Sequence, residues 1–161
     1  MVNQTEIKAI LGRLQDEAPS GYALAFHIKF TTPTYLFQTY PADWLEYYSQ
    51  NGLVMQDPTV SWGFENVGSK PWSEMKSDDT SGVLVKAAEY GMKYGIAYAT
   101  EIGGKRSLGS FSRGDREFTD AERQSLSEAM DELHRMLDEI EELSPEIAAE
   151  LRRMSVIVTR S

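Results

Sequence analysis

Three segments of the chain carry side chains that could hold a small polar molecule inside an apolar cavity. Tyr40, Trp44 and Tyr48 lie in one run, and Asp57 and Trp72 follow it along the chain. Trp44 and Tyr48 are four residues apart, so they share one face of a helix. The group supplies an indole N–H donor, phenols that donate or accept, one carboxylate acceptor and flat apolar surface. This set suits a ligand with an amide and an apolar tail.

The same residues also have a purely structural interpretation. Aromatic side chains at helical spacing are common in protein cores, and an aspartate directly before a proline, as at Asp57 and Pro58, is a common arrangement at the start of a helix. From spacing alone, the structural interpretation is favoured over the binding interpretation.

Hydrophobic periodicity predicts the elements that must position these residues. The first helix carries apolar residues at the spacing i, i+3, i+4, i+7, beginning at Ile7, and it ends before Pro19. Later segments alternate between strand-like and helix-like patterns, with a hairpin connection over 31–34 and a polar loop before Trp72. These segments are strands over 22–30 and 35–40, helices over 41–52, 57–64 and 81–94, and strands over 95–102 and 107–113.

The C-terminal part contains the clearest local signature. Thr119 and Glu122 have the spacing of a capping box, which predicts the start of a long amphipathic helix over about 119–143. Residues 144–161 then form a C-terminal helix and a tail, in which Val156–Val158 are β-like in composition. No linker, repeat or low-complexity segment interrupts the chain, so residues 1–161 are interpreted as one domain.

Strands joined mainly by short turns, with helices grouped before and after them, predict an antiparallel sheet covered by helices. The expected fold class is α/β, as a three-layer α/β/α sandwich with a central antiparallel sheet flanked by helices. In such a fold, a ligand pocket lies between the sheet and one helical layer.

Composition narrows the range of functions. The net charge of −9 and the pI of about 4.7 disfavour direct nucleic-acid binding by this chain. No secretion signal is recognisable and no apolar run is long enough to span a membrane, so no membrane association and a cytoplasmic location are expected.

Residue types also argue against catalysis and cofactors. The chain has no cysteine, and its two histidines, His27 and His134, are far apart in sequence, so no metal site is predicted. Neither a Gly-x-Ser-x-Gly motif nor a serine close to a histidine is present. We therefore expect a protein that is not an enzyme and that uses no cofactor.

The ordered set of aromatic and acidic residues resembles the autoinducer-binding domain of LuxR-type quorum-sensing regulators. The similarity comprises Tyr-Pro-x-x-Trp ending at Trp44, a tyrosine four residues later, Asp57-Pro58 thirteen residues after the tryptophan, and Trp72 fifteen residues after Asp57. It extends to Tyr94-Gly95 and to the strand Leu108–Ser112, and it covers most of the chain. Members of this family bind N-acyl homoserine lactones.

The resemblance implies a role for each head-group residue. The Trp44 indole N–H would donate to the lactone carbonyl, and the Tyr40 hydroxyl would donate to the amide carbonyl. The Asp57 carboxylate would accept from the amide N–H. Ser112 would be a second donor to the amide carbonyl.

Three further residues complete the site that the resemblance implies. Thr59 would support Asp57, while Trp72 and Tyr48 would wall the head group and the start of the acyl chain. Leu45 stands where some members carry a polar side chain near a 3-oxo group, so recognition of that substituent is not implied here.

Full-length members of the family continue into a helix-turn-helix domain that reads DNA, and nothing in this chain resembles it. The expectation is either a stand-alone signal-binding protein or a truncated chain. A free module could titrate the signal, form a homodimer, or pair with a full-length regulator through its long helix. The alternatives are an anti-activator with no ligand of its own and a receptor for a non-lactone small molecule.

Overall fold

A central antiparallel sheet of five strands positions the rest of the molecule. The computed structural model describes the backbone of residues 4–160 and the side chains of residues 4–153. The strands lie in the order β2–β1–β5–β4–β3, and every neighbouring pair is antiparallel. Their bounds are β1 Gly21–Lys29, β2 Thr32–Gln38, β3 Gly68–Pro71, β4 Tyr94–Ile102 and β5 Lys105–Arg113.

Six α-helices are described, and they lie in two layers on the two faces of this sheet, which confirms the predicted three-layer α/β/α sandwich. One layer contains α1 Gln4–Glu17, α5 Asp120–Leu143 and α6 Pro145–Arg160. The other contains α2 Ala42–Gln50, α3 Pro58–Glu65, α4 Val83–Ala88 and the 3-10 helices Leu53–Met55 and Trp72–Asp78. Each layer encloses its own cluster of buried apolar side chains.

Strand alternation assigns side chains to the two layers. In β1, Leu24 and Phe26 are fully buried against α1 and α5, whereas Ala23 and Ala25 point to the opposite face. Burying each large apolar side chain contributes about 1.5–3 kcal/mol. The face of the sheet covered by α1, α5 and α6 therefore holds the main stabilising core, and the small residues leave space on the face covered by α2, α3 and α4.

The long helix α5 begins as its sequence pattern predicts. The Thr119 hydroxyl accepts from the Glu122 backbone N–H, and the Glu122 carboxylate accepts from the Thr119 backbone N–H. Arg116 forms an ion pair with the same carboxylate and lowers the pKa of Glu122 to about 2. The apolar stripe of α5 is covered by the sheet, α1 and α6.

The structure differs from the predicted elements in four places. The loop before Trp72 contains strand β3, and the first hairpin turns at Phe30 and Thr31 rather than over 31–34. The helix predicted over 81–94 spans only Val83–Ala88. Val156–Val158, predicted to be β-like, lie within α6, and their side chains are outside the described residues.

None of the helices in the described part of the chain combines the length and the apolar character that crossing a membrane requires.

Candidate ligand-binding site

A cavity of about 320 Å³ lies between the sheet and the helical layer formed by α2, α3 and α4. Its floor comes from β1, β2 and β5, and its walls come from the helices and from the start of the 3-10 helix at Trp72. The lining is mainly apolar, with few polar groups, as small-molecule sites commonly are. Six of the seven predicted site residues line this cavity: Tyr40, Trp44, Tyr48, Asp57, Thr59 and Trp72.

Asp57 reaches the cavity because it caps helix α3. Its Oδ1 atom accepts from the Thr59 backbone N–H at 2.9 Å and from the Thr59 hydroxyl at 2.7 Å. The Tyr48 hydroxyl donates to Oδ2 at 2.8 Å. Burial raises the pKa of the Asp57 carboxyl, while these hydrogen bonds act in the opposite direction. The cap thus presents a partly desolvated carboxyl to the cavity. Asp57 can therefore cap the helix and also be available to a ligand.

Tyr40 and Trp44 place unused donors at the same end of the cavity. The Tyr40 hydroxyl is buried and has no hydrogen-bond partner among the described residues. No described group accepts a hydrogen bond from the Trp44 indole N–H, although the indole is 4% exposed. Burial also raises the pKa of the Tyr40 phenol, so this group remains a neutral donor at physiological pH. A buried donor without a partner is costly, which favours a ligand that supplies acceptors.

Trp72 forms part of the cavity wall and is held in place by two contacts. Its indole N–H donates to the Ser110 hydroxyl at 3.1 Å. Its ring lies directly on Gly95 of β4, where an added Cβ atom would come within 2.0 Å of ring carbon Cδ2. The absence of a side chain at Gly95 therefore creates the space that this tryptophan occupies.

Most of the chain matches a known protein family. Residues 6–141 match the family described as the autoinducer binding domain. The chain belongs to the autoinducer binding domain family. This is a family of signal-binding domains of LuxR-type transcription regulators rather than a family of enzymes.

The chain is similar to the transcriptional activator protein SolR of Ralstonia nicotianae, with 30% identity over 93 residues. That match covers 57% of this chain and 39% of SolR, so the chain spans well under half of this relative.

Solved structures have the same fold. SdiA in complex with octanoyl-rac-glycerol has a TM-score of 0.61 at 20% identity, covering 88% of this chain and 62% of that one. CepR2 from Burkholderia cenocepacia, described as an N-acylhomoserine lactone dependent LuxR family transcription factor, has a TM-score of 0.63 at 14% identity. The match to CepR2 covers 85% of this chain and 84% of that chain.

Ser112 is the predicted residue that does not reach the cavity of this autoinducer binding domain. Its hydroxyl donates to the Tyr94 backbone carbonyl at 2.8 Å, and its side chain is fully buried between β1 and β4. Ser110, two residues earlier, lines the cavity instead. Alternate residues of a strand share a face, so Ser110 and Ser112 lie on one face of β5, but only Ser110 reaches the cavity. Ser110 can accept from Trp72 and still donate its own proton.

The far end of the cavity was missed by sequence reasoning because its residues have no chemistry that marks them. It is bounded by aliphatic and aromatic side chains from the first hairpin, α3 and β5, namely Ile28, Pro33, Leu36, Val60, Phe64 and Leu108. Period-two alternation in β1 and β2 is the one signal that could have assigned some of them to this face. The cavity therefore has an apolar end beside its polar end.

The cavity does not offer the ligands of a metal. Asp57 is the only carboxylate among its described lining residues, and they include no histidine. Hydrogen bonding and apolar burial are therefore the chemistry available there.

Proposed function

We propose that this domain senses an N-acyl homoserine lactone in quorum sensing. The observation that carries the proposal is a set of three hydrogen-bonding groups beside an apolar cavity. The Tyr40 hydroxyl and the Trp44 indole N–H are donors without a described acceptor, and the buried Asp57 carboxylate can accept further hydrogen bonds. An acyl amide carries one N–H donor and one carbonyl acceptor, and a lactone adds a second carbonyl. These groups complement one acceptor and two donors of the protein.

The hydrogen bonds that we propose between protein and ligand follow from which protein groups can still donate or accept. Asp57 already accepts from Thr59 on Oδ1 and from Tyr48 on Oδ2, so a ligand N–H would add to a partly satisfied carboxylate. Each carboxylate oxygen can accept more than one hydrogen bond. Tyr40 would donate to the amide carbonyl and Trp44 to the lactone carbonyl. Ser110 replaces Ser112 as the additional hydroxyl near the amide, since it lines the cavity.

The experiment is a thermal-shift and calorimetric titration with three matched ligands of equal acyl length. They are an acyl homoserine lactone, the N-alkyl amide without the lactone, and the free fatty acid. We expect the lactone to raise the melting temperature most and the fatty acid least, because the acid lacks the amide N–H that Asp57 accepts. Equal shifts from all three would contradict the head-group assignment. Hydrolysis of the lactone on incubation would contradict the receptor function.

A non-lactone signal is the second candidate. SdiA, which shares the fold, is described in complex with octanoyl-rac-glycerol, an acyl ester rather than an acyl amide. A glycerol hydroxyl could donate to Asp57 in place of an amide N–H. A monoacylglycerol of equal chain length, added to the same titration, separates the two candidates by its affinity relative to the lactone.

We also propose that the domain acts on full-length regulators by signal titration or by pairing. Pairing through α5 would use its outward residues, which include the exposed Glu128, Glu132, Arg135 and Glu142. Such a contact would be polar and sensitive to salt. Size-exclusion chromatography of the domain mixed with a full-length LuxR-type regulator, at low and high salt, tests pairing. A complex at neither salt concentration would leave titration as the mode of action. An anti-activator that needs no signal would form this complex equally well with and without ligand.

A further inference from the structure

The two histidines meet on the face of the sheet that α1, α5 and α6 cover. They are too far apart in sequence for their spacing to predict a metal site. The His27 and His134 ring centroids are 4.5 Å apart, and both side chains are buried. His27 reaches this side because a β-bulge interrupts the pairing of β1 with β5 between Ala25 and Ile28. His27 itself has a φ of 52°, a left-handed backbone conformation that a non-glycine residue rarely adopts.

Hydrogen bonding fixes the tautomer of His27. Its Nε2 atom lies 3.0 Å from the backbone carbonyl oxygen of His134, which can only accept, so Nε2 carries the proton. In the neutral ring the Nδ1 atom is then an unprotonated acceptor, and this buried atom has no hydrogen-bond partner among the described residues. His134 differs, because its Nε2 donates to the Ile102 carbonyl and its Nδ1 accepts from the Ser107 hydroxyl. Only His27 offers a free lone pair.

Two carboxylates of α5 face that lone pair. Glu141 Oε2 lies 3.6 Å from His27 Nδ1, and one Asp138 oxygen completes a set of three atoms that all lie within 4.8 Å of one another. Asp138 and Glu141 are three residues apart, so they share one face of the helix. A lone pair and two carboxylates are all acceptors and repel one another unless a cation lies between them.

Lys105 supplies a positive charge to this cluster. Its ammonium donates to Asp138 and lies 3.5 Å from Glu141 Oε2. Lys105 is 38% exposed and stands next to the β4–β5 turn, so it can move into solvent without disturbing the core. Arg152 approaches the other carboxylate oxygen of Glu141, Oε1, at 3.7 Å. Neither cation contacts His27 Nδ1, whose lone pair is left unused.

We propose that His27 Nδ1, Asp138 and Glu141 form a binding site for a divalent transition-metal ion such as Zn²⁺, with a water molecule as the fourth ligand. Zinc bonds to histidine nitrogen and carboxylate oxygen are about 2.0–2.2 Å, so ligand atoms around a tetrahedral ion lie about 3.4 Å apart. The His27–Glu141 separation of 3.6 Å is close to that spacing. Asp138 lies on the helix surface and reaches the ion by a side-chain rotation. The ion displaces the Lys105 ammonium from the carboxylates.

The test is calorimetric titration of chelator-treated protein with zinc chloride. We expect one saturable site in the wild type, at least tenfold weaker binding in Asp138→Asn and Glu141→Gln, and unchanged binding in Glu142→Gln. Glu142 is the matched control because it is the exposed neighbour of Glu141 on the same helix. Lys105→Gln should bind zinc more tightly than the wild type, because the competing ammonium is removed. Cobalt should give the visible absorption of tetrahedral Co²⁺ in the wild type and lose it in Glu141→Gln.

Four outcomes would overturn the proposal. The first is the absence of saturable zinc binding in both the wild type and Lys105→Gln. The second is an equal loss of affinity in Glu142→Gln and Glu141→Gln, which would indicate diffuse binding to the acidic surface. The third is weaker binding in Lys105→Gln. His27→Gln removes the nitrogen ligand, and an intact far-UV spectrum with undiminished zinc affinity in this variant would likewise exclude the site.

Discussion

Replacing Asp57 with asparagine separates the role of this residue in ligand binding from its role in the fold. Asparagine is nearly isosteric with aspartate, and its Oδ1 atom can still accept from both donors of Thr59. Its Nδ2 group would donate to the Tyr48 oxygen, which at present donates to Asp57. The helix cap is therefore kept, because asparagine caps helices about as well as aspartate.

The two effects of this change have opposite signs. A hydrogen bond to a charged acceptor contributes about 1.5–3 kcal/mol, so its loss should weaken binding of an acyl homoserine lactone about tenfold to a hundredfold. The ligand-free protein should keep or raise its melting temperature at neutral pH, because a carboxylate disfavoured by burial is replaced by a neutral amide.

The raised pKa of Asp57 also determines how its contribution to stability depends on pH. Since burial raises the pKa of Asp57, the folded protein holds this proton more tightly than the unfolded chain does. The contribution of Asp57 to the free energy of unfolding is greatest below the unfolded pKa of about 3.9 and decreases as pH rises through the folded pKa. Asp57→Asn should not show that decrease. Urea denaturation of both proteins from pH 4 to pH 8 measures the difference.

Asp43→Asn is the matched control, because Asp43 is exposed in α2 and outside the cavity lining, so the same charge change should leave ligand affinity unchanged. Wild-type affinity in Asp57→Asn would refute the assignment of Asp57 as the ligand's acceptor. A large loss of ligand-free stability in Asp57→Asn would refute the argument that its charge is disfavoured by burial.

Two further predictions concern other parts of the site. Tyr40→Phe removes a buried hydroxyl that has no described partner, so ligand-free stability should stay equal or rise by up to about 1 kcal/mol, while lactone affinity should fall about twofold to tenfold. Lower ligand-free stability in this variant would mean that the hydroxyl is already satisfied. Gly95→Ala should lower the free energy of unfolding by about 1–3 kcal/mol and weaken ligand binding, because its Cβ would overlap the Trp72 ring. Gly12→Ala in α1, where a Cβ meets nothing within 4 Å, should instead stabilise the protein by about 0.5–1 kcal/mol, and equal effects in urea denaturation would contradict the role of Gly95.

The sequence predicts those parts of the fold whose signals are local. The capping box at Thr119, the stripe of α1 and the alternation in β1 and β2 are all confirmed, since each depends on residues close in the chain. Strand β3 has no such signal: Gly68–Pro71 is Gly-Ser-Lys-Pro, which has low strand propensity, and it pairs with the distant β4. The helix predicted over 81–94 is shortened mainly at its C-terminal end, where Gly91 has a φ of 90° and the Met92 backbone N–H donates to the Ala87 carbonyl.

In the site, too, the sequence predicts the features that depend on residues close in the chain. Residue types and spacing predict which side chains meet at the polar end, because Asp57 and Trp44 are held by short helices that begin beside them. Residues close in the chain do not show how far along β5 the cavity extends. Ser112 was therefore predicted as a site residue, whereas Ser110 lines the cavity. The meeting of His27 with His134 depends on the bulge in β1, which changes the face on which His27 lies. Sequence alternation alone does not reveal that change.

The groups that would select a polar ligand lower the stability of the ligand-free domain. The Tyr40 hydroxyl is buried without a partner among the described residues, and an unsatisfied buried group costs about 1–3 kcal/mol. A ligand that satisfies this hydroxyl, the Trp44 indole N–H and Asp57 binds only the folded state, so it raises the free energy of unfolding, by about 2.7 kcal/mol at a concentration 100 times its Kd. An apolar molecule of equal size would fill the cavity but leave the same donors unsatisfied. Discrimination between the two therefore comes from the polar end, while the apolar end contributes affinity to both.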